Sequence, residues 1–589
     1  MNKPFILPLL WLFIFFLVSC STTDQRSENT ASIMPSSSNS SAFSRHLKRT
    51  VKLIDNNNFV KASESIANLS QIAATHNEQA EVILTQVLLL DKQGQTELAR
   101  TTLINEQNRQ KLNQGDPSTK KQANELLARL NQSTGHYLAA TKGRIQNTQY
   151  YQSNTAAYQK NHQAIWQSAR RVPVDQLKKA KKEAANPTVE GWLSLAEIFS
   201  TQNDGFKNQI KAVDHWNQLH PTHPAALIPP SEITELRTSF NDIPKHIAVI
   251  LPFEGKYKPV SDAIRDGMMH SYFNQKLSQL KFYSADPNTS FMETYQTAVH
   301  NGADLVIGPL LKEHLKELSR QDSLPVKTIA LNTLKDFNTH TKNLYQFGLG
   351  SEDEVDSLIH FSQKGQHKRA IVLSENSEWG RTNLDYFKKE WEKLGNTIVD
   401  SATFTSTQSQ AQVIQKLLNI DDSHKRKKQL EQTAGLSVES EPRRRQDIDM
   451  VVIFAKPDQA LAIPPLFNFY YAQDLPIYST SSVYRGYTDN KVNQDLNGVR
   501  LTEFPMLVQQ KSIPSKYKHS SLVRMFAFGQ DAFSLAERSP SIQTSSNLRI
   551  NGATGTLYLK DQVIHRELTP AIFKNGYLKP YRIADNSYL

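Results

Sequence analysis

At 589 residues the chain exceeds the ~250–300 residues at which a single hydrophobic core stops growing, so at least two folded domains are expected. One cysteine excludes a disulfide framework, an iron–sulfur cluster and any multi-cysteine zinc site, and 22 glycines with 26 prolines exclude a collagenous or wholly disordered chain. The 68 Lys and Arg against 57 Asp and Glu give +11, which permits anionic partners such as nucleic acid, anionic lipid or cell-wall polymer without choosing among them.

Lys3 precedes a mainly apolar run, Phe5–Val18, closed by Ser19 and Cys20. This is the layout of a secretory signal, and the run is short of the ~20 residues of a membrane-spanning helix. Leu17-Val18-Ser19-Cys20 resembles a bacterial lipobox, whose cysteine is diacylated and becomes the N-terminus after cleavage. The resemblance implies a lipoprotein signal peptide over 1–19 and lipidation at Cys20; an ordinary signal peptide with an incidental cysteine is the alternative. Ser21, where Asp would resemble an inner-membrane retention signal, points to an outer-membrane lipoprotein on the periplasmic face. Export sets nucleic acid aside as a partner. Residues 20–42, rich in Ser, Thr and Asn (Ser36-Ser-Ser-Asn-Ser-Ser41), cannot bury enough surface to fold and read as a lipidated flexible tether.

From 43 to 241 the pattern is helical. Ala80, Ile83, Leu84, Val87 and Leu88 make one apolar stripe, and Ile66, Leu69 and Ala73 another. A turn residue followed five positions later by alanine recurs as Asn57…Ala62, Gly94…Ala99 and Gly135…Ala140, close to the spacing of helix-pair repeats. Gly191-Trp-Leu-Ser-Leu-Ala196 with Ala212…Trp216…Pro221 look like the two halves of one tetratricopeptide-type unit. An all-α helical repeat domain of tetratricopeptide-like character is expected, an irregular α-bundle being the alternative. His215, His220 and His223 cluster locally, but with Pro221 and Pro224 alongside they read as a repeat-terminating turn rather than a zinc site.

Past the proline-bearing stretch Pro224–Pro244, apolar runs such as Ile247–Leu251, Leu305–Gly308, Arg369–Leu373 and Met450–Phe454 alternate with amphipathic helices. Alternation of this kind argues for parallel sheets covered by helices. A break near Leu349–Asp353 divides 245–589 into two lobes, with Ser351 and Glu354 spaced as a capping box. Residues 421–446, carrying Lys425-Arg-Lys-Lys428 and Arg443-Arg-Arg445 among five acids, read as a solvated excursion, with contact to an anionic partner as the sharper alternative.

Several stretches together carry a family resemblance. Ile247–Gly255 followed by Ala263-Ile-Arg-Asp-Gly267 resembles the opening of type I periplasmic-binding folds. Tyr345–Glu354, Ala370–Gly380, Asp447–Asp449 through Phe467–Tyr478, Arg524–Phe533 and Gly552-Ala-Thr-Gly555 are similar to LpoA-type penicillin-binding-protein activators. The resemblance implies a tetratricopeptide-like helical domain followed by a two-lobed α/β domain of the type I periplasmic-binding-protein kind. It also implies an outer-membrane lipoprotein that binds and stimulates a class A penicillin-binding protein of the 1A type from across the periplasm. The membrane is then engaged through acyl chains on Cys20, and peptidoglycan itself is a further candidate partner. The family is not known for catalysis of its own, and nothing calls for a cofactor or a resident metal.

Ligands of such two-lobed folds sit between the lobes, against loops at the carboxyl ends of strands. Those loops hold Phe253, Asn332 and the hydroxyl run Ser479, Thr480 and Ser481. An interlobe site for an amino acid or muropeptide, making the protein a lipid-anchored solute receptor, is the alternative function. The hydroxyls equally suit strand ends, where they satisfy backbone groups. Ser118-Thr-Lys-Lys121 and Ser278-Gln-Leu-Lys281 match S-x-x-K, but K-T-G is absent, so a penicillin-type acyl-serine site is not expected.

Overall fold

The computed structural model describes residues 42–581, apart from 154, 201–204, 286–289, 335–340, 364, 366, 438, 440, 511–512 and 545–548. Cys20, its lipobox and the tether through residue 41 lie outside the described residues.

The turn-and-alanine repeat has a plain structural cause. Asn57, Gly94 and Gly135 adopt left-handed φ angles of 56°, 78° and 81°. They join the helix pairs Ala42–Asp55 with Phe59–Ile72, His76–Lys92 with Thr96–Ile104, and Pro117–Ser133 with Tyr137–Asn147. Glycine enters that region freely and asparagine at little cost. Five residues on, Ala62, Ala99 and Ala140 are fully buried, where a methyl group lets two helices approach closely.

The chain forms two compact units, one ending at Ala123 and the other beginning at Asn124. In the first, Thr75 and Glu78 cap His76–Lys92 reciprocally, and the stripe Ala80, Ile83, Leu84, Val87 and Leu88 is buried. In the second, the helices from Tyr137 to Asn241 pack around Trp166, Trp192 and Trp216. Trp216 Nε1 donates to the Gly191 carbonyl (3.1 Å) and Ser194 Oγ (2.9 Å), closing the hairpin of Pro187–Ser200 and Gly205–Leu219. In the His220–His223 turn, His223 Nδ1 accepts from the Ala225 N–H at 3.1 Å, and Nε2 meets the Thr188 carbonyl at 3.0 Å. Both nitrogens of His223 therefore serve the turn.

The α/β part has fifteen described strands: β1 (His246–Leu251), β2 (Gln279–Ser284), β3 (Leu305–Ile307), β4 (Ser323–Ala330), β5 (Lys342–Phe347), β6 (Arg369–Glu375), β7 (Thr397–Phe404), β8 (Met450–Phe454), β9 (Ile477–Ser479), β10 (Arg500–Glu503), β11 (Arg549–Asn551), β12 (Thr556–Lys560), β13 (Val563–Glu567), β14 (Thr569–Lys574) and β15 (Tyr577–Pro580). One sheet has the order β11-β12-β13-β5-β4-β3-β1-β2, the other β15-β14-β10-β9-β8-β6-β7. Within each, the contiguous run of parallel strands is extended by antiparallel strands from the chain's end. The chain passes between the sheets three times: after β5, after β10, and at Leu568 between β13 and β14. This is the two-lobed α/β arrangement expected to follow the helical part. Within the second unit, the helices from Tyr137 to Asn241 are fused to the first lobe: Arg170 Nη2 donates to the Arg549 carbonyl at 2.6 Å, Arg538 Nη2 to Gln209 Oε1 at 2.9 Å, and Asn551 Nδ2 to the Phe199 carbonyl at 3.2 Å.

Residues 421–446 divide in character. Ile420–Ala434 is a helix whose Lys425, Arg426 and Lys428 are exposed. Two arginines of the triplet are docked instead: Arg444 pairs with Asp474 (2.5 Å), and Arg445 with Asp447 (2.7 Å) and Asp400 (3.3 Å).

Candidate functional site at the seam between the lobes

Helix Val523–Glu537 belongs to the first lobe, where its Gly529 crosses Gly267 of Lys258–Gln275. A Cβ added at Gly267 would lie 2.0 Å from the Phe526 carbonyl oxygen, and one at Gly529 2.0 Å from that of Ile264. Only glycines allow two helix backbones to meet this closely, and the contact aims the helix's first turn at the second lobe.

There Arg524 reaches across the seam. Its Nη2 donates to the carbonyls of Ser481 (3.1 Å) and Tyr484 (3.0 Å), and its Nε to Glu503 Oε1 (3.2 Å). A second N–H of the guanidinium meets Glu503 Oε2. Glu503, the last residue of β10, is fully buried, and burial pushes its carboxyl above the ordinary range. Burial alone would lower the Arg524 guanidinium, but the Glu503 carboxylate outweighs it and holds the group charged.

One more contact fastens the seam. Asp353, at the start of helix Ser351–Gln363 in the second lobe, accepts from His565 Nδ1 (2.8 Å) and the Arg566 N–H (3.1 Å) on β13 of the first. Within the first lobe, behind Arg524, Asp531 accepts from the N–H groups of Ala553 (2.6 Å) and Thr554 (2.8 Å) and from Thr554 Oγ1 (2.6 Å). The two resemblance-bearing stretches Arg524–Phe533 and Gly552–Gly555 thus bind one another. Burial pushes the Asp531 carboxyl up to about 6, against the pull of these donors.

The sequence-predicted loop residues fall around this seam without forming one cradle. Phe253 lies edge-on to Phe282 at 6.1 Å, with the Arg265 guanidinium 5.8 Å from its centroid. Asn332 Nδ2 donates to the Leu310 carbonyl (2.8 Å), and its Oδ1 accepts from the Thr333 N–H. Ser479 Oγ donates to the Ile453 carbonyl (2.8 Å), and Thr480 Oγ1 pairs with Ser482 Oγ (2.9 Å). Ser481 donates both its N–H (3.1 Å) and its Oγ (2.8 Å) to Glu354 Oε2. Glu354 is therefore directed at Ser481 and not at the capping box expected with Ser351. Among the described residues no hydrogen bond or ring contact joins Phe253 or Asn332 to the hydroxyl run. The hydroxyls bond groups of their own lobe, while Arg524 and Asp353 make the clamp between lobes. Sequence reasoning passed over Arg524 and Glu503 in this role; the available signal was an arginine opening an otherwise apolar helix, which must find a buried acceptor.

Among the described residues no group of three or more His, Cys, Asp or Glu side chains converges as a metal site, and no helix is long and apolar enough to cross a membrane.

Residues 35–576 match the family model described as "LppC putative lipoprotein". A Photobacterium profundum protein named penicillin-binding protein activator LpoA is 25% identical over 547 residues, spanning 90% of this chain and 87% of its own. The protein of that name from Vibrio cholerae (Classical Ogawa 395) is 26% identical over 420 residues, 69% of each chain. Among solved structures, full-length LpoA from Haemophilus influenzae aligns at 19% identity with a TM-score of 0.47, covering 92% of this chain and 95% of that one.

Proposed function

From the premise that this chain belongs to the LppC lipoprotein family, we propose that it is a regulator of peptidoglycan synthesis: an outer-membrane lipoprotein that binds and stimulates a class A penicillin-binding protein of the 1A type. The observation that carries this reading is the breadth of the relationship to a protein named for that activity, which spans 90% of this chain and so includes helical and two-lobed parts alike. The hydroxyl run favours it over solute capture, because Ser481 and its neighbours already have partners inside their own lobe.

Acyl chains on Cys20 would hold the chain to the periplasmic face of the outer membrane, each buried CH₂ contributing about 0.8 kcal/mol. A tether of about 22 residues reaches roughly 75 Å when extended, which lets the folded part approach a synthase in the inner membrane. Activation needs no chemistry from this chain. It needs tighter binding to the active conformation of the synthase than to the inactive one, and about 1–3 kcal/mol of such coupling yields a roughly 5–150-fold effect. Surface plasmon resonance of the full chain in detergent over the immobilised class A synthase tests the reading. Saturable binding is expected; absence of binding at micromolar concentration rejects it.

A further inference from the structure

One edge of the second lobe combines exposed aromatic rings with a run of exposed basic side chains. Helix Ile463–Phe469 ends in Phe469, which is 71% exposed, and Tyr471, 49% exposed. Between them Tyr470 lies edge-on to Phe469 at 5.1 Å. Tyr471 follows the helix at a left-handed φ of 58°, a position that glycine or asparagine usually fills.

This aromatic ledge is tied directly to the basic helix. Tyr470 Oη donates to Gln415 Oε1 at 3.3 Å, and Gln415 Nε2 donates to Asp421 Oδ1 at 2.6 Å in the first turn of Ile420–Ala434. Along that helix Asp421 is engaged by Gln415, and Asp422 by Lys425 at 3.2 Å. Arg426 and Lys428 are exposed and have no ion-pair partner among the described residues. The helix packs on the body through buried Ile420 and a half-buried stripe of Ser423, Lys427 and the third acid Glu431, and its other residues are exposed.

The composition of this edge selects its partner. Phe, Tyr and Arg are the residues that dominate protein–protein hot spots, while exposed basic side chains steer and orient an acidic partner. A membrane-surface helix would carry a continuous apolar face of its own. Among the described residues of this helix, Leu430 is the one large apolar side chain that is exposed, and the aromatic rings lie beside the helix instead of along it.

We infer that the edge formed by Phe469, Tyr471 and helix Ile420–Ala434 is the docking surface for an acidic polypeptide segment of the synthase that carries apolar side chains. The inference rests on the proposed function and adds to it the location and chemistry of the contact. Two variants of the full chain test it against the same synthase: Phe469→Ala with Tyr471→Ala, and Arg426→Glu with Lys428→Glu. All four side chains are exposed, so both variants keep the wild-type unfolding midpoint. Each weakens binding at least about tenfold. The deficit of the charge variant shrinks as salt is raised from 50 to 500 mM, because exposed charges are screened, whereas that of the aromatic variant persists. Wild-type binding with both variants within about twofold of it overturns the inference and leaves the proposed function standing. A charge variant that loses binding to vesicles of anionic phospholipid but keeps its affinity for the synthase also overturns it. Failure of the wild-type chain to bind the synthase overturns both.

Discussion

Arg524 and Glu503 lie on different lobes, one opening a helix and the other ending a strand, and their side chains meet at the seam, with Nε 3.2 Å from Oε1. The guanidinium also holds the carbonyls of Ser481 and Tyr484, so one side chain from the first lobe engages a carboxylate and two carbonyls of the second. Replacing Arg524 by Met leaves the Glu503 carboxylate buried without a counter-charge, which costs about 3–5 kcal/mol. Chemical denaturation of the variant should show that loss. A Glu503→Gln change made on top of Arg524→Met should recover part of it, because the uncompensated charge is then gone. An unchanged unfolding free energy for Arg524→Met would show that the clamp contributes nothing.

The crossing of Gly267 with Gly529 gives a second expectation. Gly267→Ala or Gly529→Ala places a methyl 2.0 Å from a carbonyl oxygen of the facing helix, forcing the backbones apart at a cost of about 1–3 kcal/mol. The two changes act on one contact, so the double variant loses less than the sum of the singles. Thermal unfolding of the three variants measures this directly.

Buried Glu537 makes stability pH-dependent in a defined direction. Burial pushes its carboxyl from the ordinary 4.5 up to about 7, Arg538 and Gln275 opposing, and Oε1 has no hydrogen-bond partner among the described residues. Between those two values the folded chain binds more protons at this site than the unfolded chain. Stability from this group therefore falls as pH rises from about 4.5 to 7, and the full penalty applies above 7. Glu537→Gln removes the penalty. It should stabilise the protein by about 1–3 kcal/mol at pH 8 and change little at pH 4, where the carboxyl is protonated in both states. Equal gains at both pH values would contradict this account.

Lipidation at Cys20 is tested in the cell. Wild-type chain should incorporate labelled palmitate and fractionate with the outer membrane, and Cys20→Ala should do neither. Palmitate labelling that survives the substitution would reject the assignment.

How far the amino-acid pattern reveals this architecture depends on what each segment does. Strands β1 and β8, Ile247–Leu251 and Met450–Phe454, are buried along their length and appear as unbroken apolar runs because helices cover both faces of a parallel sheet. The helix turns at Asn57, Gly94 and Gly135 are equally visible, since few residue types tolerate a left-handed φ. Strands β9 and β10 escape the same reading: Ser479, Thr502 and Glu503 are polar and fully buried, the first two bonded to carbonyls of their own lobe and the third to Arg524 across the seam, and hydrophobic periodicity does not register that. The spacing of Ser351 and Glu354 misleads for a related reason, as Glu354 finds a stronger claim on it in Ser481, 127 residues along the chain. Long-range partnerships such as Arg524 with Glu503 across the lobes, or Asp531 with Thr554 within one, leave no local periodic trace, so family resemblance marked the latter pair's stretches without revealing that they touch.

The most direct test of the central claim is the rate at which the class A synthase converts lipid-linked precursor, measured with and without the full chain. The account predicts that saturating protein accelerates both glycan polymerisation and peptide cross-linking. Rates unchanged at saturation, with binding to the synthase demonstrated in the same preparation, would contradict it.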